Sequence, residues 1–176
     1  MKWTCASYEF DAKMPILMGI LNVTPDSFSD GGHYASVEAA VAHAEQMAAE
    51  GAAIIDVGGE STRPGADPVD PAEEWRRIGD VVQALVERGL CVSVDTRHAE
   101  VAAKAVEAGA AIINDVSGFC DPAMAEVARA SDVGCVVMHM KGDPATMQQH
   151  AEYDDVVAEV RDYLAGRCAE LEAAGI

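Results

Sequence analysis

The fold is decided by one stretch of the chain, Met18-Gly-Ile-Leu-Asn-Val-Thr-Pro-Asp-Ser-Phe-Ser-Asp-Gly-Gly32. It begins apolar, as a buried parallel strand does, and turns polar at Asn22. The segment that follows is rich in Ser, Thr, Asp, Pro and Gly, which favour loops, and a helical pattern resumes at Ser36. Loops between a strand and a helix usually have about 2–6 residues, so this loop is long for a plain connection. A polar loop at the carboxyl end of a buried strand is where α/β folds place ligands.

The same alternation of apolar strand and amphipathic helix recurs along the chain. The pattern predicts strands at 15–21, 52–58, 90–94, 110–113 and 134–138, and helices near 36–50, 71–88, 98–108, 122–131 and 154–173. Residues 1–14 are predicted to form a small hairpin or plug. The segment Gly51-Ala-Ala-Ile-Ile is repeated at Gly109, which indicates serial βα units. Five strands alternating with five helices predict an α/β fold with a parallel sheet.

Two architectures fit this order, a doubly wound open sheet and a (β/α)8 barrel. No G-x-G-x-x-G motif follows the first strand, which argues against a dinucleotide site. Polar side chains stand instead at the carboxyl end of every strand, namely Asn22, Asp56, Asp95, Asn114 and His139. This distribution suits the mouth of a barrel. A complete barrel takes eight units and about 250 residues, so we expect residues 1–176 to form one barrel domain with only its first five βα units and an N-terminal hairpin.

Composition narrows the class of partner. The formal charge is −18, from 30 acidic and 12 basic residues, which argues against binding of nucleic acid or of an anionic membrane surface. Five cysteines without C-x-x-C spacing indicate a reducing compartment and no disulfide framework. The first apolar run is too short for a signal sequence or a membrane span. We therefore expect a cytoplasmic protein.

The second informative stretch is Gly58-Gly-Glu-Ser-Thr-Arg-Pro-Gly65. Its glycines allow close backbone approach, its hydroxyls can donate hydrogen bonds, and Arg63 presents a planar fork of N–H donors. This set suits an anionic group such as a phosphate. The alternative is a surface salt bridge between Arg63 and Glu60.

Asn22 and the strand carboxylates are the other candidates. The amide oxygen of Asn22 is a weak neutral ligand that could help to seat Mg²⁺ bound also by substrate phosphates, and the alternative is a turn or a helix cap. Asp95 has two interpretations, which both stay open. In the structural one it bonds Arg97 or caps the next helix. In the functional one it accepts two N–H groups from a guanidine-like heterocycle edge, with Asn114 pairing across the same ring.

His139 lies between Met138 and Met140. A lone histidine flanked by methionines is more often a structural residue than a base or a ligand. We therefore leave His139 out of the predicted site.

Together these motifs resemble dihydropteroate synthases, which are pterin-binding enzymes of the folate pathway. The stretches from Met18 and from Ile54 resemble the first two signatures of the family. Val92-Ser-Val-Asp-Thr96, Ile112-Ile-Asn-Asp-Val116 and Met138-His-Met-Lys-Gly-Asp-Pro-Ala-Thr-Met-Gln148 match its later strand ends in order. The resemblance covers essentially the whole chain.

The resemblance implies a transferase that condenses 6-hydroxymethyl-7,8-dihydropterin diphosphate with 4-aminobenzoate to give 7,8-dihydropteroate and diphosphate. By the same resemblance, Asn22 would bind Mg²⁺ and Arg63 the diphosphate. The residues that would hold the pterin are Thr62, Asp95, Asn114 and Met138. Phe28 and Pro64 would line the pocket for 4-aminobenzoate, where sulfonamide analogues would also bind.

The chain also departs from the family. Its last residues match the region just before the sixth strand, so the later pterin and anion ligands of the family are not among these 176 residues. We therefore expect a truncated chain that is inactive alone. The resemblance also implies a homodimer for full-length members of the family. Two alternatives remain, a pterin-binding methyltransferase domain and a non-catalytic truncated paralogue. The intact Ser61-Thr-Arg-Pro64 loop argues against the methyltransferase.

Overall fold

The structure, a computed structural model, describes residues 2–23, 32–61, 68–142 and 146–176. The strands are β1 (Lys2–Cys5), β2 (Tyr8–Asp11), β3 (Met18–Asn22), β4 (Ile54–Gly58), β5 (Val92–Asp95), β6 (Ile112–Asp115) and β7 (Gly134–Val137). The helices are α1 (Gly32–Ala49), α2 (Pro71–Glu87), α3 (Ala99–Glu107), α4 (Pro122–Arg129) and α5 (Val156–Ala173), with a 3-10 turn at Met147–His150.

The strands form two sheets. β3 to β7 make one parallel sheet in sequential order, and β1 and β2 make an antiparallel hairpin, so both the predicted parallel sheet and the predicted hairpin are confirmed. Parallel strands with helices between them need both faces of the sheet covered.

None of the described helices is long and apolar enough to cross a membrane.

One face of the sheet packs against helices. Its buried strand residues are mostly β-branched, and they meet small or apolar residues of α1, α2 and α3 in one core. The buried members on the strands are Leu21, Ile55, Val57, Val92, Val94 and Ile113. This core fixes the strands, and therefore the side chains on the opposite face.

The opposite face is closed by the hairpin at its amino end. Cys5 is fully buried in a second core with Ile54 and Ile112, and Trp3 and Phe10 pack against that core. The approach is tight, because a Cβ added to Gly134 would lie 2.4 Å from the Cys5 sulfur. The predicted plug therefore covers the amino ends of the strands and leaves their carboxyl ends for a site.

The repeated Gly-Ala-Ala-Ile-Ile segments mark equivalent turns. Gly51 and Gly109 have φ of +112° and +103°, which favours glycine after a helix. In each turn the next N–H bonds back into the helix, from Ala52 to Met47 and from Ala110 to Ala105. Because these residues complete the turn, the strands that follow begin two residues later than predicted.

The helix starts were predicted correctly for α2 and α4 but not for α1. The predicted starts of α2 at 71 and of α4 at 122 are confirmed, and in both helices an aspartate before a proline, Asp70 or Asp121, accepts a backbone N–H at 2.9 Å. The predicted start of the first helix near Ser36 is wrong, since α1 begins at Gly32. No proline lies between these two positions, so nothing in the sequence stops the helix from extending.

Candidate functional site

Four polar or small residues form one row across the carboxyl ends of the strands. Asn22 is the register partner of Gly58, Gly58 is the partner of Asp95, and Asp95 is the partner of Asn114. A Cβ placed on Gly58 would lie 3.4 Å from Asp95 Oδ2 and 3.8 Å from Asn22 Oδ1. The predicted residues Asn22, Asp95 and Asn114 therefore come together at one end of the sheet, with Gly58 leaving space between them.

A second row lies one step deeper and contains Asp56, a strand-end residue that was not among the predicted site residues. It is the register partner of Ser93 and is 4% exposed. Asn114 Nδ2 donates to Asp56 Oδ2 at 3.0 Å. Asp56 Oδ1 and the Ser93 hydroxyl have no hydrogen-bond partner among the described residues. A carboxylate inside the apolar run Ile54-Ile-Asp-Val-Gly58 was the available signal for this residue.

The two carboxylates at this end of the sheet, Asp56 and Asp95, lie where burial makes the ionised form unfavourable. Burial, assisted by the negative charge of Asp56, raises the pKa of Asp95 to about 7. Burial also raises the pKa of Asp56, and the neighbouring Ser93 hydroxyl and the hydrogen bond from Asn114 oppose that rise. Asp95 Oδ1, like Asp56 Oδ1, has no hydrogen-bond partner in the described part of the chain. Two buried acceptors without donors mark a place where a ligand with N–H groups gains most.

The structural interpretation of Asp95 is wrong. Arg97 donates to Glu60, at 2.9 Å from Nε and 2.9 Å from Nη2. The N-cap of α3 is His98, not Asp95. Neither predicted structural role is therefore filled by Asp95.

Asp115, in contrast, is satisfied locally. Its carboxylate accepts from the backbone N–H of Ser117 and of Phe119, both at 2.7 Å, and from the Ser117 hydroxyl at 2.9 Å. These bonds hold the turn in which Phe119 has φ of +59°. This carboxylate shapes a loop and does not face the row of ligand acceptors.

The residues after β7 have divided roles. Met138 is half-buried and stands two residues beyond Val136, the register partner of Asn114. The His139 ring packs edge-on against Tyr163 with centroids 4.9 Å apart, and Tyr153 lies 5.9 Å away. Lys141 lies over the Tyr153 ring and pairs with Glu159 at 2.6 Å. These contacts hold the chain after β7 against α5, and the omission of His139 from the site stays a prediction.

Four of the predicted site residues cannot be placed. Phe28, Thr62, Arg63 and Pro64 lie outside the described residues. The alternative role for Arg63, a salt bridge to Glu60, therefore has no test, although Glu60 is already paired with Arg97. Asn22 is exposed, so its amide oxygen is open to a cation or a ligand.

Comparison with known families matches residues 18–176 to the family described as "Pterin binding enzyme". The chain belongs to this family. It is 49% identical to the dihydropteroate synthase of Neisseria meningitidis serogroup B over 99% of its own length. It is 48% identical to that of Escherichia coli K12 over its full length. Pterin-binding family membership, predicted from the strand-end motifs, is thus confirmed.

Solved structures agree with the fold. The dihydropteroate synthase of Yersinia pestis, solved with a sulfonamide drug complex, matches with a TM-score of 0.90 and 42% identity over 100% of this chain and 64% of that chain. The Burkholderia cenocepacia enzyme complexed with 7,8-dihydropteroate matches with a TM-score of 0.85 and 40% identity over 99% of this chain and 59% of that chain. The predicted partial barrel, with five parallel βα units after a hairpin, is therefore confirmed.

The chain spans about three fifths of the length of these curated relatives, 62% of the Neisseria protein and 63% of the Escherichia protein. The end of the sheet that carries Asp95 and Asn114 lies within the matched part.

Proposed function

We propose that this chain carries the pterin-binding part of a dihydropteroate synthase. One observation carries the proposal. Asp95 Oδ1 is buried without a hydrogen-bond donor among the described residues, and Asp95 is the register partner of Asn114, whose amide donates to the buried Asp56. The 2-aminopyrimidinone edge of a pterin presents adjacent N–H donors, and a carboxylate accepts such a pair. Binding would supply the hydrogen bonds that the ligand-free site lacks.

Asn114 complements this edge. Because its Nδ2 donates to Asp56, the amide is held in one orientation and its oxygen remains as an acceptor for a ring N–H. Asp56 thus positions Asn114, and Asp95 pairs with the ligand. Met138 would pack against the ring face, since a methionine side chain adapts to flat apolar surfaces.

The supported reaction forms a carbon–nitrogen bond and breaks a carbon–oxygen bond. The arylamine nitrogen of 4-aminobenzoate attacks the methylene carbon of the dihydropterin, diphosphate leaves with the electrons of the C–O bond, and the amine loses a proton. Such a displacement needs no protein nucleophile. It needs a fixed pterin and a neutralised leaving group.

The residues that would bind the leaving diphosphate and the second substrate are those proposed from the sequence. Arg63 and Thr62 would bind the diphosphate, and Phe28 and Pro64 would line the 4-aminobenzoate pocket, where sulfonamide analogues would compete. Mg²⁺ would be held by Asn22, whose exposed neutral amide suits a cation that also binds phosphate oxygens. When bound, it would neutralise charge on the diphosphate. The homodimer and the cytoplasmic location stay predictions.

Unfolding combined with turnover tests the proposal and separates an enzyme from a binding paralogue. Thermal unfolding of the chain is measured with and without the dihydropterin diphosphate and Mg²⁺, and diphosphate release is then measured with 4-aminobenzoate. A ligand at about 100 times its Kd stabilises the folded state by about 2.7 kcal/mol, so the unfolding temperature should rise. A rise with turnover supports the synthase, and a rise without turnover supports a binding paralogue. No rise contradicts pterin binding.

A further inference from the structure

A half-buried ion pair between Glu60 and Arg97 has no part in the proposed chemistry. Glu60 accepts both prongs of the Arg97 guanidinium at 2.9 Å, and its side chain is 7% exposed. Two-pronged pairs of this kind are stronger and more directional than exposed single contacts. The pair therefore fixes the relative position of the two segments that carry it.

Its place in the sheet is informative. The last register pair of β4 and β5 is Gly58 with Asp95. Glu60 and Arg97 each stand two residues further along the chain, so their ion pair continues the pairing of the two strands beyond the last backbone pair. Asp95 lies directly before this junction, at the end of β5.

Further bonds anchor the Glu60 side of the junction. Glu60 Oε1 accepts the backbone N–H of Val69 at 3.0 Å. Arg77 Nη1 donates to the carbonyl of Gly59 at 3.0 Å. Gly59 also packs directly on α2, because an added Cβ would lie 2.8 Å from Ile78 Cγ2. The segment after β4 is therefore held by α2 and by Val69, and it offers Arg97 a rigid partner.

A second pair anchors the other side. His98 Nδ1 lies 2.6 Å from Oε2 of Glu74, which is fully buried on α2. One ligand atom from each of Glu60, Glu74 and His98 lies within 4.8 Å of the others, an arrangement that also permits a metal ion. The Arg97 guanidinium already faces both Glu60 oxygens, so a cation would have to displace it. The contacts therefore favour a network in which Glu60 pairs with Arg97 and Glu74 pairs with His98, instead of a metal site.

We propose that Glu60 and Arg97 are positioning residues for pterin recognition, because their ion pair holds the ends of β4 and β5 together and so sets the place of Asp95. The inference rests on the proposed function, and neither residue is assigned a contact with the ligand. Arg97→Gln removes the two-pronged pair, and Arg97→Lys keeps the charge with a single prong. Arg129→Gln is the matched control, because Arg129 forms a two-pronged pair with Glu126 at the exposed surface of α4.

Hydrogen exchange without ligand tests the junction itself. Arg97→Gln should speed exchange of the Val69 and Thr96 amides about tenfold, the factor that corresponds to about 1.4 kcal/mol. These amides bond Glu60 and Asn114, respectively. Arg129→Gln should leave both amides unchanged. Unchanged exchange in Arg97→Gln overturns the inference, and so does Zn²⁺ binding to the wild-type chain at this cluster with displacement of Arg97.

Pterin affinity tests positioning as distinct from stability. Arg97→Gln should weaken binding of the dihydropterin diphosphate about tenfold, and Arg97→Lys should recover part of that loss. Arg97→Gln should add no further loss in an Asp95→Asn background, because the pair acts through Asp95. Additive losses indicate a merely structural pair and overturn the inference. If the wild-type chain binds no pterin, the proposed function fails, and exchange alone decides whether the pair holds the strand ends.

Discussion

Replacement of Asp95 by asparagine is expected to stabilise the ligand-free chain while it weakens pterin binding about a hundredfold or more. The Asp95 carboxylate is mostly buried, lies near the negative charge of Asp56, and has one oxygen without a partner among the described residues. Asparagine is similar in shape and carries no charge. The folded chain therefore no longer bears the cost of burying this anion, and a ligand loses the acceptor that pairs with its N–H groups.

The size and sign of the effect follow from the pKa. Burial raises the pKa of Asp95 from 3.8 to about 7, which corresponds to about 4 kcal/mol at about 1.36 kcal/mol per pH unit. Between these two values the folded state binds the proton more tightly than the unfolded state, so stability falls as pH rises. The advantage of Asp95→Asn should therefore be small near the lower value and reach its full size above the upper one, with about 4 kcal/mol as an upper bound.

Urea denaturation at several pH values between about 5 and about 8.5 measures this difference. Asp132→Asn is the control, because Asp132 is exposed and its replacement should leave stability nearly constant across the range. If Asp95→Asn is no more stable than the wild type near pH 8, burial of the ionised Asp95 does not cost stability. A gain that does not grow with pH would also refute that cost.

Three further substitutions test the packing. Gly134→Ala should destabilise the chain by about 1–3 kcal/mol in urea denaturation, because the new methyl group overlaps Cys5 and displaces the hairpin; unchanged stability would mean that the hairpin is not packed there. Arg167→Met should lower the unfolding temperature, since Arg167 donates to the carbonyls of Gly118 and Phe119, and an unaltered temperature would show those bonds to be dispensable. Ile20→Thr should reduce self-association in sedimentation experiments with little loss of stability, because Ile20 is 64% exposed on β3, an edge of the described sheet; equal self-association would place the contact elsewhere.

Local chemistry made most of the fold predictable. Gly51 and Gly109 end helices because glycine adopts positive φ readily, and Asp70 before Pro71 begins one because the side chain caps the first turn. The start of α1 was missed because no proline between Gly32 and Ser36 marks the helix boundary in the sequence. Boundaries without such signals depend on tertiary packing.

The site was predictable only in part. Asp95 and Asn114 stand at strand ends, where an α/β sheet places ligand-binding residues. The bond between Asp56 and Asn114 joins positions 58 residues apart, and the sequence does not state which strand positions face each other. The same holds for Glu60 and Arg97, 37 residues apart, which pair with each other, whereas one of the two open interpretations had paired Arg97 with Asp95. Sequence thus identified the strand ends, whereas their pairing required the register.

Calorimetric titration with 6-hydroxymethyl-7,8-dihydropterin diphosphate, on the wild-type chain and on Asp95→Asn side by side, tests the central claim most directly. We expect the wild-type chain to bind one pterin. Asp95→Asn should bind it about a hundredfold more weakly or worse, because the two-pronged hydrogen bond between the Asp95 carboxylate and the pterin is lost. Equal affinity in the two proteins would mean that the pterin does not bind at these strand ends. No heat of binding in either would mean that Asp95 and Asn114 do not form a pterin site in this chain.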